Sequence, residues 1–303
     1  MPAGNTFPNS AFSYGLGDVY TTGDVFFVDS GNTSASDGQT GRNRNAPMAT
    51  IDAAIGRCAA NNGDIVMVMP GHDENPTASI TMDVAGVWVR GLGWGASRPT
   101  VTFGALAATL SMEAASCRVS GLRFDLGTVA TTVTNAIAVT AADCIIENVD
   151  TVSHPTSQFT NIISVIATGT RQIIRDCFIK SLLTAGASSG IYLDGCDDIQ
   201  ILNTTVMGHF GASAALENVA GSDQILGATI AGCFFRNDSS TSGDLAVNLD
   251  DDATGMFAYN MLSGGLATTA ANYEIGDMAS LESYIVDSAG VDVHGIVLGT
   301  AAV

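Results

Sequence analysis

Seven times between Val87 and Ser263 the chain repeats one short pattern, and this pattern limits the possible folds more than any other feature. In "CIIENVDT", residues 144–151, Cys144 and Ile146 alternate up to Asn148. Val149 and Thr151 then resume the alternation out of phase. With Asn148 as position zero, the same frame fits Val87, Val89, Gly91, Leu92 and Trp94, and then Cys117, Val119, Gly121, Leu122 and Phe124. It fits again at Gln172, Ile174, Asp176, Cys177 and Ile179, and at Ile199, Ile201, Asn203, Thr204 and Val206. The last two matches are Ala228, Ile230, Gly232, Cys233 and Phe235, then Met256, Ala258, Asn260, Met261 and Ser263. Position zero falls at 91, 121, 148, 176, 203, 232 and 260, in steps of 30, 27, 28, 27, 29 and 28 residues.

Position zero is always Gly, Asn or Asp, the residues that tolerate a left-handed backbone. One such residue turns a strand sharply, so the apolar sets on both sides of it can point into one interior. A second strand appears once per repeat, at 136–140, 162–167, 190–194, 214–219 and 245–250. Three short strands per repeat, with no room for a crossover helix, predict an all-β fold: a right-handed, single-stranded parallel β-helix of about seven coils. Like strands stack at roughly 4.8 Å, so seven coils make a rod of about 30 Å.

An open stack needs capping. In MATIDAAIGRCAANNG, Ile51, Ala54, Ile55 and Cys58 share one helical face, which predicts a capping helix over 48–60 with its stop at Asn61-Asn62-Gly63. DIVMVMP, residues 64–70, then reads as a buried strand. The expected organisation is an N-terminal arm at 1–24, the β-helix with its capping helix at 25–264, and a C-terminal tail, cap or oligomerisation segment at 265–303. The rhythm is expected to stop at Gly265. The arm is rich in Gly, Asn and aromatics (Phe7, Phe12, Tyr14, Tyr20), as in a segment that binds a partner.

The stretch FVDSGNTSASDGQTGRNRNAPMATIDAAIGRCAANNGDIVMVMPGHDEN resembles the opening of right-handed parallel β-helix proteins of the pectin-lyase-like superfamily. The matching residues are Thr50, Ile51, Ala54, Ile55, Gly63, Asp64, Val66, Val68, Pro70 and Gly71. Together with the coils, the resemblance covers roughly residues 25–264. It implies the fold and leaves function open, because lyases, hydrolases and structural virion parts share it.

Lyases of that superfamily hold calcium with acidic residues and use an arginine base. The related hydrolases use three aspartates, a histidine and an Arg-x-Lys. The nearest candidates here are Asp194, Asp197-Asp198 and Asp250-Asp251-Asp252. The Gly-His-Gly expected one coil after Asp197-Asp198 is missing, and Gly208-His209-Phe210 comes only some ten residues later. Lys180 is the only lysine and stands at the wrong spacing from Arg175. These aspartates read as turn and solvent-face residues, although oxygen ligands at Asp250–Asp252 would suit calcium. His72, His154, His209 and His294 stand in loop-like contexts, with no Ser or Cys nucleophile motif beside them. Gly91-Leu-Gly-Trp-Gly95 precedes no helix, so a phosphate loop is not expected. The six cysteines form no CxxC pair and read as buried, reduced thiols; a Cys117–Cys144 disulfide on adjacent coils is the alternative. No catalytic, cofactor-binding or metal-binding residue is expected.

A net charge of −19 opposes direct binding to nucleic acid, whose phosphates require Lys or Arg. No segment is long and apolar enough for a membrane helix, and the opening MPAGNTFPNSAFSYG lacks the charged and apolar regions of a secretory signal. Three function classes remain. The leading expectation is a structural virion protein: a phage capsid decoration (cement) protein, or a tail or spike component. It would be a homotrimer bound to the major capsid protein on the capsid surface, assembled in the host cytoplasm. A glycan lyase or hydrolase would need a groove with convergent carboxylates, and a cell-surface adhesin would need an export signal.

Overall fold

The computed structural model describes residues 21–128, 132–154, 157–166, 168–182, 186–211, 213–218, 224–239, 244–264, 273–285 and 295–297. Most of the proposed N-terminal arm, much of the C-terminal tail and His294 therefore lie outside the described residues.

The chain is a parallel β-helix with three sheets of ten, ten and eight strands. Its coils wind right-handedly, the sense that connects parallel strands through twisted backbone. Each coil runs from sheet 3 through sheet 1 to sheet 2. In one coil these strands are Val133–Val139, Ile145–Glu147 and Asp150–Val152. They pair in parallel with Phe159–Val165, Ile173–Arg175 and Phe178–Lys180 of the next coil.

The interior is built from ladders of equivalent residues. Two positions before the turn stand Val89, Val119, Ile146, Ile174, Ile201, Ile230 and Phe257, all buried. Three positions after it stand Phe124, Thr151, Ile179, Val206, Phe235 and Leu262, also buried. Burying each large apolar side chain contributes about 1.5–3 kcal/mol, so the ladder itself offsets the entropy of ordering a short strand. Phe103 stacks on Phe124 with centroids 5.9 Å apart and meets the edge of Phe159 at 6.1 Å.

The turn between sheets 1 and 2 has the predicted conformation at five positions. Gly121, Asn148, Asp176, Asn203 and Gly232 have φ of 69°, 48°, 55°, 48° and 66°. Their amides donate to the coil that follows, as in Asn148 N–H to the Arg175 carbonyl at 3.1 Å and Asn203 N–H to the Ala231 carbonyl at 3.0 Å. A second left-handed stack, absent from the sequence reading, precedes sheet 1 at Asn61, Gly86, Ser116, Asp143, Arg171, Asp198 and Gly227. Its amides also reach the next coil, as in Arg171 N–H to the Asp197 carbonyl at 2.9 Å. Sheet 1 is thus bounded by a sharp turn on each side.

Four sequence expectations need correction. First, the last repeat is displaced by one residue. Ala231 pairs with Ala258, which puts Tyr259 (φ 56°) at position zero, Phe257 and Leu262 in the core, and Met256 and Met261 outside. Asn260 fills the next position instead; its Oδ1 accepts from Cys233 N–H at 2.9 Å and its Nδ2 donates to the Ile230 carbonyl at 2.9 Å. Second, Trp94 does not occupy the inward place. A loop intervenes, Val101 pairs with Phe124, and Trp94 is 84% exposed. Third, the capping helix is only Ile51–Ile55. Thr50 caps it through Oγ1, which accepts from Ala53 N–H at 3.3 Å, and Gly56 closes it. Ile51, Ala54 and Ile55 are buried as expected, while Cys58 lies beyond the helix and is half-buried. Fourth, the rhythm does not stop at Gly265. Tyr273–Ile275, Ala279–Leu281 and Tyr284–Ile285 add another coil with Glu282 (φ 44°) at its turn. Gly295–Ile296 then pairs antiparallel with Tyr284–Ile285 and covers the end of sheet 2.

All six cysteines are free thiols, so Cys117 and Cys144 form no disulfide. Burial pushes the thiols of Cys144, Cys177 and Cys196 up to about 12.

Candidate functional site

The structure separates Asp197 and Asp198 from His209 and leaves Asp194 and Asp250 at strand ends of sheet 3. Asp197 and Asp198 form the turn before sheet 1: Asp197 Oδ1 accepts from Leu226 N–H at 3.0 Å, and Asp198 N–H donates to the Leu226 carbonyl at 2.8 Å. His209 follows the sheet 2 strand Thr205–Gly208, so one sheet 1 strand and one sheet 2 strand separate it from these aspartates. Asp250 Oδ1 accepts from Asp252 N–H at 3.0 Å, and Asp252 Oδ2 accepts from Gln224 Nε2 at 3.1 Å. Among the described residues no group of three or more His, Cys, Asp or Glu side chains is placed to hold a metal ion. Lys180 and Arg175 stand on different sheets.

His72 has an unexpected setting. It is buried beside Ser30 and Glu74, which suggests a nucleophile triad at first sight. The geometry is structural instead. The backbone N–H of Ser30, not its hydroxyl, donates to His72 Nδ1 at 3.0 Å. Nε2 therefore carries the proton and donates to Glu74 Oε2 at 3.1 Å. The same carboxylate oxygen accepts from Ile51 N–H at 3.0 Å and anchors the capping helix. The Ser30 hydroxyl donates to the Asp73 carbonyl at 2.7 Å. His154 Nε2 lies 3.1 Å from Thr128 Oγ1.

Three outer surfaces remain. On sheet 3, Tyr192, Glu217, Asn248 and Glu274 stack in register, with Asp194 and Asp250 at the strand ends. Glu217 accepts a hydrogen bond from the Ser189 hydroxyl. Burial, then the charge and hydrogen bond of Asp251, then Asp250, raise the Glu274 carboxyl above its ordinary value. Burial, then Asp194 and Glu217, raise the Tyr192 phenol.

On the early coils of sheet 1, Trp88, Arg90, Arg118, Glu147 and Arg175 form a second cluster. The Arg118 guanidinium lies 4.1 Å and that of Arg90 5.0 Å from the Trp88 ring centroid. Trp88 Nε1 donates to Ser120 Oγ at 2.7 Å. Glu147 accepts from both Arg118 (Nε, 3.0 Å) and Arg175 (Nε, 2.9 Å). These residues are far apart in sequence, yet all stand one or three positions before the turn. The outward positions of the repeat could therefore have revealed them.

The third surface lies where sheets 1 and 2 meet on the last coils. Met256, Tyr259, Met261, Leu281, Tyr284 and Ile296 are all exposed there. Met261 pairs with Tyr284, and Tyr284 with Ile296, so the patch is continuous across strands.

No protein-family model matches the chain, and no curated protein matches it. Among solved structures, it is similar to a variant of sacteLam55A from Streptomyces sp. SirexAA-E in complex with glucose. The identity is 14% and the TM-score 0.54, over 78% of this chain and 46% of that one. The chain thus spans less than half the length of that structure. It is also similar to a rhamnogalacturonan lyase, at 12% identity and a TM-score of 0.46, over 86% of this chain and 87% of that one. At these identities the likeness is one of fold.

Proposed function

We propose that this chain is a structural, non-enzymatic virion protein: a phage capsid decoration protein that self-associates as a homotrimer and binds the major capsid protein. The observation that carries the reading is the exposed apolar corner of the last coils. Contiguous apolar surface of this kind marks sites of association. The outward residues beside it on sheet 1, Thr229, Ala231 and Ala279, are uncharged. In a chain of net charge −19, copies repel wherever acids face one another; this corner carries a single exposed acid, Glu282 between Leu281 and Tyr284, so it is where another copy can approach. Closed symmetry is the common way for identical copies to cover such a corner. The sequence-predicted aspartates at 197 and 198 are engaged in the turn, which also favours a structural role.

The test is mass photometry of the purified chain with and without isolated capsids of the source virus. Uptake at fixed stoichiometry is the expected result; particles that ignore capsids would overturn the decoration reading.

One observation favours a second reading, a glycan-acting enzyme. Glu217 and Glu274 lie two strand spacings apart, ~9.6 Å along the stack. A carboxyl with a raised pKa on the same sheet face as a second carboxylate is an acid–base arrangement, and a backbone spacing of this size is closer to inverting than to retaining geometry. A glycan-cleavage screen comparing wild type with Glu274→Gln tests it. Cleavage that the substitution abolishes would replace the structural reading.

A further inference from the structure

The chain is strongly acidic, yet three guanidinium groups gather on one face of sheet 1 around a single carboxylate. Arg118 and Arg175 share Glu147. Arg90 forms no ion pair among the described residues. Its neighbours in register are Met67 and Ser120, so neither adjacent strand offers it an acid. Arg90 and Arg118 both lie against the Trp88 ring, so two like charges share one indole. Desolvation first, then Arg118, lower the Arg90 pKa, and Glu147 opposes them in part. A single anion between them would relieve the repulsion and accept planar, paired hydrogen bonds.

We propose that the face of sheet 1 at Arg90, Arg118 and Trp88 is an oxyanion-binding site for a sulfate or carboxylate group carried by an acidic ligand. The site is separate from the apolar corner and from the sheet 3 carboxylates, so it stands whichever reading of function holds. Arg90 supplies the uncommitted charge. Arg118, fixed by Glu147 and the indole, supplies the preorganised partner. The half-buried Trp88 lowers the local dielectric and strengthens both interactions.

The experiment is calorimetric titration of the full chain with sodium sulfate, against sodium chloride at matched ionic strength. Parallel titrations with dextran sulfate and uncharged dextran distinguish a free anion from a polymer-borne one. Saturable sulfate binding that Arg90→Gln weakens about tenfold is expected. Tighter binding of dextran sulfate than of sulfate, per charged group, would assign the site to an acidic polysaccharide; sulfate binding alone would assign it to a small anion. Arg118→Gln also removes a Glu147 partner and could disturb the fold, so Arg90→Gln, with folding checked by circular dichroism, is the deciding variant. A wild-type response no greater than that to chloride, or an Arg90→Gln protein that binds sulfate like wild type, would overturn the proposal.

Discussion

Gly91 and Gly121 meet backbone to backbone: a Cβ on Gly91 would lie 2.3 Å from the Gly121 carbonyl oxygen, and one on Gly121 would lie 2.5 Å from that of Gly91. The first turn of the repeat thus requires glycine for close approach, since Gly91 has no left-handed φ. Because the obstacle is backbone, Gly91→Ala should destabilise the chain by about 1–3 kcal/mol. Gly31→Ala meets only an Asp29 side-chain oxygen at 3.5 Å and should stay within about 0.5 kcal/mol of wild type. Urea unfolding of the two variants measures both values, and equal midpoints would contradict the packing described.

Asn148 combines a left-handed backbone with a side chain in use, since Arg98 Nη2 donates to its Oδ1 at 2.8 Å and Arg98 Nη1 reaches Asp150 Oδ2 at 2.6 Å. Asn148→Ala should cost about 1–2 kcal/mol from the backbone alone. Asn148→Gly, which keeps the conformation and loses only the hydrogen bond, should cost less. Equal losses in chemical denaturation would show that φ at position zero is not the controlling factor.

Ile174 is fully buried at the centre of the interior ladder. Ile174→Asp would place an unpaired charge there and should prevent folding. A soluble variant with the wild-type circular dichroism spectrum would refute the inward assignment of that position.

The cysteines make alkaline stability predictable in sign. Burial holds the thiols of Cys144, Cys177 and Cys196 at about 12 and that of Cys233 at about 11, against an ordinary 9.0. The unfolded chain therefore loses these protons first. The stability they support is complete below pH 9 and is lost progressively as pH rises from 9 toward 12. Native protein at pH 8 should resist iodoacetamide at these four positions and react on unfolding. Rapid labelling of the native protein would contradict this burial.

The fold was legible wherever residue type and backbone need coincide. Asn148, Asp176 and Asn203 turn the chain and look as though they should. The register slip at Tyr259 was hidden because Asn260, one residue later, has the expected side chain but uses its amide to satisfy buried backbone groups of the core. The last coil was hidden because Glu282 occupies its turn and follows Tyr259 by only 23 residues. The left-handed stack before sheet 1 includes Ser116 and Arg171, whose side chains give no hint of positive φ. The outer surfaces were less legible still. Arg90, Arg118 and Arg175 stand on outward positions of the repeat, which a reading of its inward positions passes over, and Met256 and Met261 had been assigned to the core.

The central claim, that the exposed apolar corner of the last coils is an assembly face, is tested most directly by sedimentation equilibrium of the full chain beside Met261→Glu. Met261 is exposed, so the substitution leaves the core intact. The account predicts that wild type sediments at three times the 31.0 kDa chain mass and Met261→Glu at the mass of one chain. Wild-type protein that remains monomeric across the concentration range, or a variant that assembles as wild type does, would contradict it.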